Sequence, residues 1–236
     1  AASPATGVDT LTGEGLAEAL EGASVVVDVS SSPWLDDAAV LEFFTTSTRN
    51  LLAAEEAEGV GHHVTLSAVG TDRLSESGYF RAKAAQEELI RGSRIPHSIV
   101  HTTQFFEFVT GIAEAATEGD TIRVAPALVQ PIAADDVAAA LVVIAVGPPS
   151  GGVVEVAGPE QFRLDVFIDR WLQARNDPRV VVPDQYARYF DALLDERDLL
   201  PEFSATCGST RFADWLARST PAAGPVGALF AGPARA

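Results

Sequence analysis

The stretch "SVVVDVS" at 24–30 is apolar and β-branched at almost every position, with Gly22 on one side and a serine-proline cluster on the other. Such a run predicts a strand buried in a parallel sheet. Upstream, "LTGEGLAEALEG" has a Thr/Gly entry and the Leu/Ala spacing of a short helix. From Asp36 to about Glu58 apolar residues recur at helical spacing and stop at Gly59, which predicts a long helix. "HHVTLSAVG" then reads as a strand ending in a loop, "GYFRAKAAQEELIRGS" as a helix with a C-terminal glycine, and "HSIVHTTQFF" as a further strand.

Strands and helices alternating at this rhythm imply right-handed crossovers and a parallel sheet with helices on both faces. Ligands of such sheets sit at the carboxyl ends of the strands. Those ends are Ser30–Ser32, Ser67–Gly70 and Thr103–Phe106. Beyond residue 110 the pattern loosens into two short extended pieces and a helix entered at "AADDVAAAL", where Asp135 or Asp136 is placed to cap. "GGVVEVAGPEQF" reads as a strand and turn and "RLDVFIDRWLQARND" as a helix. "YARYF", "LLDERDLL" and "FADWL" suggest a small helical lobe. The expected organisation is an α/β domain at 1–150, a small lobe at 151–217 and a flexible Pro/Gly/Ala-rich tail at 218–236. No internal repeat is present. The chain has no methionine and opens in "AASPATGVDT", which resembles the inside of a domain, so a truncated start is expected.

Composition narrows the function. In 236 residues, 16 Lys and Arg stand against 33 Asp and Glu, a formal charge of -17. That field repels polyphosphate backbones and anionic membranes, so nucleic-acid and membrane partners are not expected. The single cysteine, Cys207, excludes an internal disulfide framework and fits a reducing cytoplasm. No apolar run approaches the roughly 20 residues of a membrane span, and no signal-peptide pattern opens the chain.

The candidate chemistry centres on Tyr79 and Lys83, four apart and therefore on one helical face. An ammonium beside a phenol stabilises the phenolate and lowers the tyrosine pKa, which makes it an acid or base usable near neutrality. Ser67, at the end of the preceding strand, is placed to hydrogen-bond a substrate carbonyl oxygen. The competing reading is a surface Tyr/Lys pair and a strand-capping serine; the strand, serine and helix context favours the chemical one. His62 and His63 are adjacent on a strand and point to opposite faces, so they form no chelating pair, and no metal site is expected. Asp135 and Asp136 read more readily as helix-capping residues than as acid/base carboxylates. Phe105, Phe106 and Phe108 either wall a pocket or fill an interface, with Phe105 favoured for the pocket. Cys207 lacks the basic surroundings of an activated thiol.

The segments "VVVDVSSSP", "HHVTLSAVGTDRLSESGYFRAK", "IPHSIVHTTQFFEF" and "VQPIAADDVAAAL" together resemble the atypical short-chain dehydrogenases/reductases of the NmrA-like, NAD(P)-binding kind, over roughly residues 1–175. The resemblance implies an α/β Rossmann-like parallel sheet flanked by helices, N-terminally truncated, with a small C-terminal helical substrate lobe. It makes 1–150 an NAD(P)-binding Rossmann-like domain lacking its first βα unit and 151–217 a substrate lobe. It implies a catalytic set of Ser67, Tyr79 and Lys83, with Lys83 also holding the nicotinamide ribose. Ser30 and Ser31 match the segment beside the adenosine ribose and pyrophosphate, Thr103, Gln104 and Phe105 the segment flanking the nicotinamide, Asp9 an adenine-edge position, and Asp136 a structural aspartate. The implied activity is hydride transfer to or from a carbonyl, quinone or sugar-like small molecule. The alternative is a non-catalytic NAD(P)-sensing regulator, and a third reading is a structural remnant that binds no cofactor. A homodimer through the helices at 36–58 and 79–91 is a further implication.

One departure is large: the glycine-rich strand-turn-helix that holds the pyrophosphate in this family has no counterpart in the sequence. Weak dinucleotide binding by the chain as it stands is the expectation. Ala2-Ser3-Pro4 offers no acidic residue where one would select NAD, so NADP rather than NAD is the expected cofactor.

Overall fold

The computed structural model describes residues 2–34, 36–202 and 204–219. A 3-10 turn at Pro4–Thr6 leads to α1 (Leu16–Leu20), β1 (Val25–Asp28), α2 (Asp37–Glu58), β2 (His62–Ala68), α3 (Gly78–Gly92) and β3 (His97–Thr102). A second 3-10 turn, Phe106–Phe108, runs into α4 (Val109–Ala115), followed by β4 (Thr117–Glu118), β5 (Thr121–Val124) and β6 (Leu128–Val129). α5 (Ala134–Val146), β7 (Val153–Ala157), β8 (Phe162–Arg163), α6 (Leu164–Arg175), β9 (Val180–Pro183), β10 (Thr206–Cys207) and α7 (Phe212–Arg218) complete it.

The main sheet has the order β1-β2-β3-β7-β10, and all of its pairings are parallel. This is the Rossmann-type α/β arrangement expected. Alternation along the strands sorts the side chains between two helical layers. Val64, Val100 and Val156 pack with Val137 and Leu141 of α5 on one face. His63, Ile99 and His101 face α2 and α3 on the other, where Ile99 joins Leu52 and Ile90. His62 and His63 accordingly part: His62 meets Ser98 at 2.9 Å, and His63 Nδ1 meets Glu55 of α2 at 2.9 Å with both residues fully buried. β1 corrects an expectation. Among the described residues it pairs only with β2, and Val25 and Val27 are 37% and 39% exposed, so this strand is not covered there on both faces.

The helix ends follow their sequences. Asp36 accepts hydrogen bonds from the amides of Ala38 and Ala39 at the start of α2, and Gly59 closes it at φ 72°. The cap expected from Asp135 or Asp136 is absent: Ala133 stands at the N-cap of α5, and Asp136 instead accepts from the backbone and hydroxyl of Thr210 at 2.8 and 3.1 Å.

The C-terminal region is built on a second, larger core in which Phe106, Phe162, Phe167, Leu199 and Phe212 are buried together. It is mixed rather than purely helical. "FADWL" lies in α7 as expected, but "YARYF" and "LLDERDLL" are not helices. Tyr189 and Ala192 exchange backbone hydrogen bonds across a two-residue turn, because this segment docks against the core instead of exposing an amphipathic face to it. The strand at 153–157, grouped with the lobe on sequence, is the fourth strand of the main sheet. The tail from Thr220 onward lies outside the described residues. Among the described residues, no helix is long and apolar enough to cross a membrane.

Candidate active site

The carboxyl ends of β2 and β3 and the first turns of α3 meet the C-terminal core, and this is where the candidate residues gather. α3 can start there because residue 78 is glycine: a Cβ at that position would lie 1.9 Å from Asp37 Oδ1. The two helix starts are tied further by Arg81, which donates to Asp37 Oδ2 at 2.6 Å. Tyr79 is thereby set edge-on between Phe44 of α2, 6.1 Å away, and Phe80, 5.4 Å away. It packs against both the C-terminal core and the α2/α3 cluster.

The electrostatics differ from the expectation. Burial pushes the Tyr79 phenol up to about 12 rather than down. Lys83 does not act on it as foreseen, because its ammonium donates to the backbone oxygen of Leu66 at 2.8 Å and to Gln86 Oε1, and lies 4.5 Å above the Phe44 ring. Gln86 in turn donates to Asp28 Oδ2 at 3.1 Å. Burial lowers the Lys83 pKa to about 8, with the charges of Asp28 and Glu87 opposing the fall.

Ser67 is also committed elsewhere. Its hydroxyl donates to Glu87 Oε1 at 2.5 Å, and Glu87 binds His101 and Arg91 at 2.8 Å each. Burial raises the Glu87 pKa, but hydrogen bonds from His101 and Ser67 and the Arg91 charge outweigh it and hold the carboxyl below its usual range. A polar cavity of about 300 Å³ opens beside this cluster, lined by Thr71, Arg73, Glu87, Arg91, His101 and Glu155 among others. Ala68, the next residue, points the other way and packs with Tyr79 against the C-terminal core.

Thr103 gives its hydroxyl to Gln130 O at 2.6 Å and its amide to Val156. Gln104 is clamped through its backbone oxygen to Ile132, while its side-chain Oε1 is buried without a partner. Phe105 packs on the α5 cluster and tilts over Phe108, whereas Phe106 is fully buried in the C-terminal core. At the end of β1, the Ser30 amide donates to Asp28 Oδ1 and Ser31 is exposed. Asp9 stands apart, bonding the amides of Leu11 and Thr12 in its own turn.

Three residues of this region were not foreseen. Gln86 and Glu87 follow Lys83 at i+3 and i+4, so helical spacing alone would have placed them beside it. Tyr189 arrives from the distant C-terminal segment with no motif around it. Its phenol is pushed well above the usual tyrosine value, by burial first and then by the nearness of Tyr79, with the Gln104 side chain hydrogen-bonding against that trend.

Comparison with known proteins places the fold. A family model described as NAD(P)H-binding matches residues 4–148, more than half of the chain. No curated protein matches the sequence. Solved structures with the same fold include MoeE5 in complex with UDP-glucuronic acid and NAD, at a TM-score of 0.67 and 16% identity over 88% of this chain and 81% of that one. A nucleoside-diphosphate-sugar epimerase from Staphylococcus aureus aligns at 0.67 and 16% identity over 89% and 81%. DesIV, a dTDP-glucose 4,6-dehydratase from Streptomyces venezuelae with NAD bound, aligns at 0.64 and 18% over 86% and 74%.

These matches overturn the expectation of NADP over NAD. MoeE5, DesIV and a short-chain dehydrogenase/reductase superfamily protein from Agrobacterium tumefaciens are described with NAD bound. The absence of an acidic residue in Ala2-Ser3-Pro4 is no guide to the cofactor, since these residues lead into the 3-10 turn at Pro4–Thr6 and do not end a strand.

Proposed function

Since the chain belongs to the NAD(P)H-binding family, we propose that it is an NAD-dependent oxidoreductase acting on a carbonyl or alcohol carbon of a sugar-like small molecule, with Tyr79 handling the proton. The observation that carries this reading is the bare Oε1 of Gln104, buried at the carboxyl end of β3. A buried acceptor without a donor is costly, and the carboxamide N–H of a nicotinamide is the donor it lacks. Lys83 uses two of its three N–H groups within the protein, which leaves one for a ribose hydroxyl. The residues present thus fit the nicotinamide half of the cofactor. The chain's charge of -17 further favours NAD over a dinucleotide with an additional phosphate.

NAD, when bound, supplies the hydride chemistry. The protein's part is the proton and the geometry. With its pKa near 12, Tyr79 holds its proton at neutral pH, so its resting form is the donor to a carbonyl oxygen that becomes an alcohol. The alternative, a sensor that binds the dinucleotide without turnover, is favoured by one observation: the Ser67 hydroxyl is spent on Glu87.

The test follows NAD reduction at 340 nm with UDP-glucose and dTDP-glucose, alongside NADH binding by fluorescence. Turnover that falls by about 10²–10⁴-fold in Tyr79→Phe, with binding intact, supports the enzyme reading. Binding without turnover on any substrate selects the sensor.

A further inference from the structure

A substrate oxygen facing Tyr79 needs a second donor to orient it, and Ser67 does not provide one. Its one proton goes to Glu87 of α3. The nearby phenol belongs to Tyr189. It is 9% exposed and packs in the same core as Tyr79.

The backbone that presents it is unusual. Tyr189 and Ala192 exchange N–H···O bonds of 2.8 and 3.1 Å around Phe190 and Asp191, whose φ angles are 46° and 69°. Two positive φ angles in a two-residue hairpin define a type I′ turn, which favours Asn-Gly and is strained for phenylalanine. The turn is braced where it stands: Arg188 donates to the Asp191 backbone oxygen and to Glu76 at 2.9 Å, in the loop that leads into α3 and Tyr79. The Phe190 ring stands edge-on to Tyr189 at 4.7 Å. The same arginine therefore fixes the two tyrosine-bearing segments to each other.

We propose that Tyr189 supplies the second hydroxyl of the active site, donating to the substrate carbonyl oxygen in the place expected of Ser67, with the 188–192 hairpin as its mount. Tyr189 keeps its proton throughout. During reduction the hydride goes to the carbonyl carbon, the proton to the oxygen comes from Tyr79, and Tyr189 only holds that oxygen between the two phenols. The C-terminal segment so completes the reacting centre as well as covering it. This inference rests on the oxidoreductase reading above.

The experiment compares Tyr189→Phe, Tyr79→Phe and Tyr186→Phe in the full chain, using whichever of UDP-glucose and dTDP-glucose turns over better with NAD. Tyr186, three residues before Tyr189 and 74% exposed, is the control. Tyr189→Phe is expected to lower kcat/KM at least tenfold with the Kd for NADH unchanged, while Tyr186→Phe leaves both alone. Parental kcat/KM in Tyr189→Phe, with Tyr79→Phe inactive, overturns the role of Tyr189 and leaves the oxidoreductase reading standing. Parental activity in Tyr79→Phe, or no turnover at all, removes that reading and this inference with it. If Tyr189→Phe does not fold, a fluorotyrosine at 189 keeps the shape and lowers the phenol pKa. The more acidic phenol is a stronger hydrogen-bond donor, so kcat/KM at neutral pH should change with the Kd for NADH unaltered, and an unchanged kcat/KM overturns the inference.

Discussion

The hydroxyl of Ser67 donates to Glu87 over 2.5 Å, and this bond takes up the one proton the serine has to give. Glu87, 3% exposed in its side chain, collects three donors there: Ser67, His101 and Arg91. Its pKa is lower in the folded chain than in the unfolded one. The unfolded state therefore takes up its proton first as pH falls. The stabilisation is complete above the unfolded value and is lost as pH drops through the folded value. Urea midpoints measured from pH 6 to pH 3 should fall steeply in the parent. In Glu87→Gln the midpoint should be lower at pH 6 and should depend less on pH through the acid range.

Lys83 has the opposite window. Burial lowers its pKa from 10.5 to about 8, so between those values the unfolded chain binds the extra proton. Stability then rises with pH across that interval, because the folded protein no longer has to hold a buried ammonium. Relative to the parent, Lys83→Met should show a flatter profile between pH 8 and pH 10 in chemical denaturation. A parent whose midpoint does not rise relative to that variant would contradict a Lys83 pKa held down by burial.

The 188–192 hairpin makes a prediction of its own. Asp191 has φ 69° and is exposed, and the contact recorded for it is made by its backbone oxygen. Asp191→Gly relieves the left-handed strain without removing that bond and should stabilise the chain by about 0.5–1 kcal/mol, after the added unfolded-state entropy of glycine is counted. Differential scanning calorimetry reads this as a small rise in Tm. If the strained turn serves to mount Tyr189, the same variant should lose activity as it gains stability.

Much of the fold was legible because its signals are local. The apolar strands, the 36–58 helix with its Asp36 start and Gly59 stop, and the Tyr79–Lys83 helix were all set by periodicity and caps. The site was legible only in its parts list. Ser67 was named for its place at a strand end, but which face it takes depends on the alternation of β2 against α3 and on Glu87, twenty residues on. Lys83 was paired with Tyr79 by spacing, yet Gln86 lies on the same face and competes for it. Tyr189 could not be found from its neighbours, since "YARYF" reads as helix until packing bends it into a turn. The glycine spacing was no guide to backbone approach either, as Gly78 and Gly158 lie in no glycine motif.

Gly158 offers the sharpest test of the frame around the site. It follows β7, and its amide donates to Gln130 O at 3.1 Å, so the backbone of the 130–132 segment passes directly against it. A Cβ at this position would sit 1.7 Å from the backbone oxygen of Pro131. No side chain can rotate out of the way, because the obstacle is main chain. The same segment receives the Thr103 hydroxyl through Gln130 O and pairs Ile132 with Gln104 and Phe105. Gly158→Ala should therefore cost about 2–4 kcal/mol by forcing the two backbones apart. The shift should also reach the site: NADH affinity should fall together with Tm, because Gln104 moves with its Ile132 partner. Gly152→Ala, where nothing lies within 4 Å of the added carbon, is the control and should leave both measurements nearly unchanged.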